Sequence, residues 1–429
     1  MLGVLLGVML ITAVLTVPIG TAIGLGCMAT FATMPNGAAM STMLSQTIVT
    51  AIDNYSMLSM PFFMMVGTLM ARGGLAKKLI NVADVLTHKM PGGLGMAAIV
   101  SCMFFAAISG SGPATAATIG GIMIEAMREQ GYDETYAGCL CGSGSTIGPV
   151  IPPSIPMITY GVAIGVSISD MFMGGIIPGV LMGVSLMIYN FFVSKKRGYK
   201  SGNDHEYTTR EVLHILLDAL PALLMPIIVL GGIYSGVFTA TEASVVGVTY
   251  SVIVSGFIYR TLTVKDFCAA VRGAGISAAA IFFTFGVANM FARILSMNNV
   301  AQLVSTAILS ITQSRFLVML ILNIILIIIG MFVNTNSAIV LFGPIMVTIA
   351  SAVGVDSLAF GIIMVTNLCI GMVTPPVGSC FYISQKLSNS SFDQMMKELW
   401  PPVACLYAVV ILISCVPEIV TFLPYLLRG

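Results

Sequence analysis

Apolar runs of about 20 residues or more succeed one another along this chain, each long enough to cross about 30 Å of hydrocarbon as a helix. They fall near 2–34, 45–70, 93–127, 136–167, 172–193, 212–235, 241–259, 273–293, 315–353, 357–385 and 400–425. Only 8% of the 429 residues are charged and 57% are apolar, so no sizeable soluble domain is left between the runs. The one polar linker of note, from Lys195 to Glu211, is too short to fold alone. The chain therefore reads as an all-α polytopic membrane protein. A formal charge of +1 offers no basic surface for nucleic acid. The first run, "MLGVLLGVMLITAVLTVPIG", has no basic leader and no small-residue cleavage site, so it reads as a retained span.

Enzyme and metal chemistry find little to work with. Nine cysteines are scattered through apolar runs without a C-x-x-C pair, and Cys139 and Cys141 are too close for a zinc pattern. His88, His205 and His214 lie in loops or at run edges. An intramembrane hydrolase built on Ser111 or Ser145 would lack a base, since neither motif contains His, Lys or Asp.

Basic residues concentrate in three breaks: Arg72 to Lys89, Lys195 to Lys200 and Arg260 to Arg272. Those loops should be cytoplasmic. Three runs lie between Lys89 and Lys195, so one must turn back for both clusters to share a side. The run 93–127 is the candidate, because Ser109-Gly110-Ser111-Gly112-Pro113 at its middle cannot continue an ordinary helix. We expect a re-entrant hairpin there, followed by a span broken at "STIGPVIPPSIPMITYG", residues 145–161.

The pattern returns in the second half. The run 315–353 carries Asn334-Thr335-Asn336-Ser337 at its midpoint, and the next run carries Thr374-Pro375-Pro376-Val377-Gly378. Ser111 precedes Pro152 by 41 residues and Asn336 precedes Pro375 by 39. Two copies of a hairpin followed by a proline-broken helix mark an internal repeat, which in secondary transporters points to the binding site. Traced through the loops, the first hairpin opens to the cytoplasm and the second to the opposite side, which makes the repeats inverted.

A helix interrupted in mid-membrane exposes unpaired N–H groups on one half and unpaired C=O groups on the other. The N–H ends suit a carboxylate, and freed carbonyls with side-chain oxygens suit a small cation. The tips and breaks offer neutral oxygens from Ser109, Ser111, Thr115, Ser143, Ser145, Thr146, Asn334, Thr335, Asn336, Ser337 and Thr374, with no Asp, Glu or His among them. Sodium fits this set better than a proton relay, which normally needs titratable groups through the membrane. Asp53, Asp170, Asp218 and Glu242 read as helix-end or interfacial residues, and Asp53 is the first alternative if protons couple instead.

Several stretches are similar to the large, DctM-like membrane subunit of tripartite ATP-independent periplasmic (TRAP) transporters, within the ion transporter superfamily. They are "IDNYSMLSMPFFMMVGTLMARGG" at 52–74, "AAISGSGPATAATIGGIMI" at 106–124, "GSTIGPVIPPSIPMITYGVAIGVSI" at 144–168, "GVFTATEASVVGVTYSVI" at 236–253, "IGMFVNTNSAIVLFGPI" at 329–345 and "VTNLCIGMVTPPVG" at 365–378. The resemblance runs nearly the full length. It implies an elevator-type, sodium-coupled importer of an organic acid, such as a C4-dicarboxylate, a sialic acid or a related sugar or keto acid, in the bacterial cytoplasmic (inner) membrane. It further implies a periplasmic substrate-binding protein and a separate small membrane subunit of four helices as partners, with no organic cofactor.

Carried over by resemblance, Ser109, Ser111, Gly112, Ser145, Thr146 and Pro152 form one sodium site, and Asn334, Asn336, Ser337, Thr374 and Pro375 form the second. Substrate contacts are assigned to Ser111, Thr115, Ser145, Asn336, Thr374 and Gly378. The implied domains are scaffold helices over 1–92, the first hairpin and broken helix over 93–167, scaffold and arm over 168–314, the second hairpin and broken helix over 315–385, and a C-terminal scaffold span over 386–429. Many family members carry an acidic residue near the position of Asn334, where this chain is neutral. Arg293 reads as an interfacial anchor or, less simply, a substrate contact. The competing function is a stand-alone sodium- or proton-coupled anion transporter of the same superfamily that needs no binding protein.

Overall fold

The computed structural model describes residues 2–34, 37–199 and 207–428, and every regular element among them is helical. His205 and the middle of the Lys195–Glu211 linker lie outside the described residues.

The first apolar run is two helices rather than one span. α1 (Leu2–Val14) and α2 (Ile19–Ala32) pack against one another, with Thr16 at φ 63 between them. Pro18 accounts for the break: it lacks an N–H and disfavours helical backbone at Val17. The run 45–70 divides into α3 (Gly37–Ile52), a 3-10 turn at Tyr55–Leu58 and α4 (Ser59–Arg72). Asn54 starts the turn by accepting a bond from Ser56 N at 2.9 Å. α5 (Leu75–Thr87) then leaves the Tyr55–Arg72 stretch at 73°, across Gly73 and a left-handed Gly74.

The expected repeat follows. α6 (Gly93–Ser109) and α7 (Gly112–Glu129) pack on each other as the first hairpin, and α8 (Glu134–Ser145) and α9 (Ile155–Ile164) are the halves of the first broken helix. α10 (Ile168–Arg197), α11 (Thr209–Tyr234), α12 (Ala240–Val252) with a π turn at Ile253–Ile258, α13 (Val264–Met297) and α14 (Val300–Ile311) lead to the second copy. There α15 (Arg315–Phe332) and α16 (Thr335–Ala352) form the hairpin, and α17 (Ser357–Gly371) and α18 (Ser379–Leu387) the broken helix. The last run, expected as one span, turns at Val416-Pro417 between α19 (Phe392–Cys415) and α20 (Glu418–Arg428). Among the described residues, α10, α11, α12 with its π turn, α13, α15, α16 and α19 are each long and apolar enough to cross a membrane.

Of the acidic residues nearest the apolar runs, Asp53, Asp170 and Glu242 sit at helix ends, whereas Asp218 lies inside α11. Glu242 closes a capping box with Thr239: its carboxylate accepts from Thr239 N at 2.8 Å, and Thr239 Oγ1 accepts from Glu242 N at 3.2 Å. Asp218 pairs with Lys78, and Asp170 occupies the first turn of α10, where Ser167 Oγ accepts from its amide. Asp53 and Arg293 are exposed.

The hairpins and broken helices pack into one another, and α10 and α19 lie against them: α10 touches α6, α9 and α17, and α19 touches α8 and α17. α13 packs mainly on α2, α3 and α4 and meets this group through α16. Buried amides tie it together. Asn190 on α10 accepts from Tyr136 Oη at 2.8 Å and donates to the Gly92 carbonyl at 3.1 Å. In the second half, Asn367 on α17 donates to Asn323 Oδ1 at 3.0 Å, and Asn323 donates to Ser414 Oγ on α19 at 2.8 Å. Such bonds between helices in lipid contribute about 1 kcal/mol each.

The hairpin turn makes a direct prediction. Gly110 has φ 57, and a Cβ built on it would stand 2.3 Å from the Pro153 carbonyl oxygen, whereas a Cβ on Gly121 meets nothing within 4 Å. Gly110→Ala should lower thermal stability by at least about 1–2 kcal/mol, and Gly121→Ala should be neutral or stabilise by about 0.5–1 kcal/mol. Thermal unfolding of the purified variants in detergent checks this; equal melting of the two would contradict the turn.

Candidate ion and substrate site

At the first tip α6 ends on Ser109, Gly110 turns the chain, and Ser111 caps α7 in extended backbone, with Pro113 in the first turn where its missing N–H costs no helical bond. Thr115 Oγ1 donates to the Ser111 carbonyl at 2.8 Å and lies 3.2 Å from Ser109 Oγ. One proton on Thr115 cannot serve both contacts, so Ser109 donates to Thr115.

The first break spans residues 146–154, and its side chains cap both half-helices. Ser145 Oγ donates to Gly142 O at 2.6 Å, and Thr146 Oγ1 donates to Ser143 O at 2.7 Å, which ends α8. Ser154 caps α9 by accepting from Met157 N at 3.2 Å while donating to Pro149 O. The prolines at 149, 152 and 153 bring no N–H that would need a partner here.

Tip and break meet around a small oxygen-lined space. A Cβ built on Gly148 would stand 2.9 Å from the Ser111 carbonyl oxygen, 2.9 Å from Thr115 Oγ1 and 3.0 Å from the Ser145 carbonyl oxygen. Only a glycine leaves that point free. The three oxygens press on the Gly148 backbone and are hydrogen-bonded within the tip and break, Ser111 O accepting from Thr115 N at 3.0 Å and Ser145 O from Gly148 N at 3.0 Å, so they form a close-packed neutral-oxygen wall where tip meets break. Ser109, Ser111, Gly112, Thr115 and Ser145 are thus brought together, while the Thr146 hydroxyl is committed to its own helix.

The second half repeats this with different residues. Asn334 caps α16, its Oδ1 accepting from Asn336 N at 3.1 Å, and Thr335 Oγ1 donates to Leu368 O on α17 at 3.3 Å. In the break, Thr374 Oγ1 donates to Ile370 O at 3.0 Å, and Val377 N donates to Met331 O in the hairpin at 3.2 Å. A Cβ on Gly378 would meet the Met372 carbonyl oxygen at 2.7 Å and the Thr374 carbonyl oxygen at 3.0 Å. A cavity of about 100 Å³ lies between Asn334 and Thr335 on the tip and Met372 and Gly378 in the break. Ser337 and Asn336 face a second cavity, of about 330 Å³, shared with α13.

The halves touch at two places. A Cβ on Gly112 would approach Met372 Sδ at 3.0 Å and Cys380 Sγ at 3.1 Å, so the first tip seats on the second break. Thr159 Oγ1 on α9 lies 3.1 Å from Asn336 Oδ1 in the second tip. Gly148, Thr159, Met372 and Cys380 were not expected as site residues. Gly148 stands inside the quoted Pro-rich stretch, where a glycine flanked by break prolines is a readable signal. Thr159 and Cys380 join the site only through contacts distant in sequence, whereas Met372 also meets Gly378 within its own break.

Electrostatically, the site is made of helix ends. α7, α9, α16 and α18 begin at it and α6, α8, α15 and α17 end at it, with no charged side chain in either tip or either break. Each end carries roughly half a charge, positive at the starts and negative at the stops. An anion and cations can therefore be held side by side without a formal charge on the protein.

Comparison with known proteins agrees with this architecture. Residues 6–419 match the family described as tripartite ATP-independent periplasmic transporter, DctM component. The chain is 39% identical to the isethionate TRAP transporter permease protein DctMQ of Oleidesulfovibrio alaskensis over 98% of its own length and 66% of that relative's. It is 32% identical to the sialic acid TRAP transporter large permease SiaM of Vibrio cholerae, covering 90% of each chain. It is 33% identical to the C4-dicarboxylate TRAP transporter large permease DctM of Pseudomonas aeruginosa, covering 87% of each. Among solved structures, the YdaH transporter of Alcanivorax borkumensis shares the fold, with a TM-score of 0.62 over 89% of each chain at 12% identity. With its paired hairpins and broken helices, this multi-pass membrane chain belongs to the DctM family, the large permease component of TRAP transporters.

Proposed function

We propose that this chain imports a small organic acid across the bacterial cytoplasmic membrane by sodium symport, taking it from a periplasmic binding protein and working with a small four-helix membrane subunit. The observation that carries the reading is the convergence of four half-helix starts and four half-helix ends on tips and breaks that carry neutral oxygens and no charged side chain. Sodium is cargo here, held by Ser111, Thr115 and Ser145 on one side and by Met372 and Thr374 carbonyls with Asn334 near by on the other. Without Asp or Glu in these tips, each cation adds net positive charge to the site, and that charge favours an acid beside it. Substrate affinity and sodium occupancy are thereby coupled, and the coupling is reciprocal.

The acid group would face the starts of α7 and α16, close to Ser111 and Asn336, with Thr115, Ser145, Thr374 and Gly378 around it. The named cargoes of the relatives, isethionate, sialic acid and C4-dicarboxylates, are all organic anions, which supports an anionic substrate without choosing one. In an elevator-type mechanism the hairpins and broken helices travel together past outer helices. α10 and α19 lie in segments that the resemblance assigns to the scaffold, yet their packing on α6, α8, α9 and α17 supports moving them with the hairpins.

Proteoliposomes holding both membrane subunits, supplied with the loaded binding protein, should accumulate substrate under an inward sodium gradient and not under an equal potassium gradient. Uptake indifferent to sodium would contradict the proposal. Ser111→Ala and Thr374→Ala should each raise the sodium concentration for half-maximal uptake several-fold while leaving membrane insertion intact. Unchanged sodium dependence in both would place the ions elsewhere.

A further inference from the structure

The two hairpin tips stand differently against their outer helices. A Cβ on Gly67 of α4 would lie 2.9 Å from Ser109 Cα, so α4 closes directly on the first tip. The second tip is held off α13 by the cavity of about 330 Å³. That volume falls at the lower end of the range for small-molecule sites, roughly 300–1,000 Å³. Asn334, Asn336 and Ser337 form one wall, and Ser277, Thr284 and Phe285 of α13 form part of the other.

The chemistry of the walls is complementary rather than uniform. On the tip side, the start of α16 presents N–H groups and two amides, which suit an acid group. On the α13 side are two hydroxyls and apolar surface, with no charge among the lining residues. Thr284 Oγ1 donates to the Ala280 carbonyl at 2.9 Å, so it can only accept from a ligand. Ser277 is exposed and can both donate and accept. Seven residues apart on one helix, the two lie about 10 Å from each other along the axis.

We propose that α13 is a specificity wall: Ser277 and Thr284 contact the uncharged polar end of the organic acid while its acid group is held at the second hairpin tip. This rests on the transport function proposed above, and it deepens it by assigning substrate selection within the permease to a helix outside the hairpins and broken helices. Because α13 packs on α2, α3 and α4, the contact exists only while the second tip lies beside it, so the wall screens the acid at one stage of the cycle.

The test uses the complete transporter, with isethionate, succinate and N-acetylneuraminate as probes. For whichever acid the wild type transports, Ser277→Leu should raise KM at least tenfold, leave kcat within about twofold and leave the half-saturating sodium concentration unchanged. Ser277→Thr should stay within threefold of wild type. A second arm needs no transport. In the purified complex with the exposed Cys268 and Cys415 replaced by serine, Ser277→Cys should react several-fold faster with an anionic ethanesulfonate thiol reagent than with its cationic trimethylammonium analogue, relative to a free thiol. Sodium-driven uptake with an unchanged KM in Ser277→Leu would overturn the wall and leave the transport proposal standing. Absence of uptake in the wild type, with anion-preferring labelling intact, would overturn the transport proposal and keep the anion cavity. Labelling without charge preference, or prevented by the small membrane subunit, would assign this face of α13 to lipid or to that subunit and overturn the inference.

Discussion

Lipid offers no hydrogen bonds, so every backbone N–H and C=O at membrane depth must find its partner inside the protein. This chain breaks helices at four places in its two repeats, and the arrangement around them follows from that requirement. Prolines remove N–H groups, serine and asparagine side chains cap the restarts of α7, α9 and α16, and serine and threonine hydroxyls bond the last carbonyls of α8 and α17. The carbonyls beside Gly148 and Gly378 are satisfied in the same way, Ser111 O by Thr115, Ser145 O by Gly148 N and Met372 O by Cys380 N, which leaves a neutral, oxygen-rich surface at tip and break. A site made of backbone has few side chains to specify it, and its electrostatics come from helix ends rather than from ionised groups.

The same economy explains why the halves can be alike in plan and unlike in residues. Ser111 and Asn334 both cap a returning arm, yet one offers a hydroxyl and the other an amide. Gly112 and Thr335 each bring a tip into contact with a broken helix, one by having no side chain and the other by a bond to Leu368 O. The halves are also unequal at their outer faces, since Gly67 lets α4 close on the first tip while α13 stands away from the second.

Much of this was legible in the sequence because the breaks combine two signals. Gly-Ser-Gly-Pro and Asn-Thr-Asn-Ser at mid-run, each followed at nearly equal spacing by Pro-Pro, leave few alternatives to a repeated hairpin and broken helix. Proline alone is a poorer guide. Pro18 and Pro417 stand immediately before α2 and α20 and divide runs read as single spans, whereas Pro178, Pro226 and Pro344 sit inside α10, α11 and α16. The Thr159–Asn336 contact joins residues 177 apart, and Cys380 reaches Gly112 from the opposite repeat. Pairings of that kind are set by packing and leave no local pattern.

The proposal that the neutral tips and breaks hold sodium is tested most directly by thermal unfolding of the purified membrane subunits in sodium against equimolar potassium. A ligand that binds only the folded protein stabilises it by about 2.7 kcal/mol at a hundred times its Kd, so the shift should saturate with sodium. Gly148→Ala and Gly378→Ala should each reduce that sodium-specific shift while Gly121→Ala retains it in full. A stabilisation equal in sodium and potassium, or one untouched by either substitution at Gly148 or Gly378, would contradict the account.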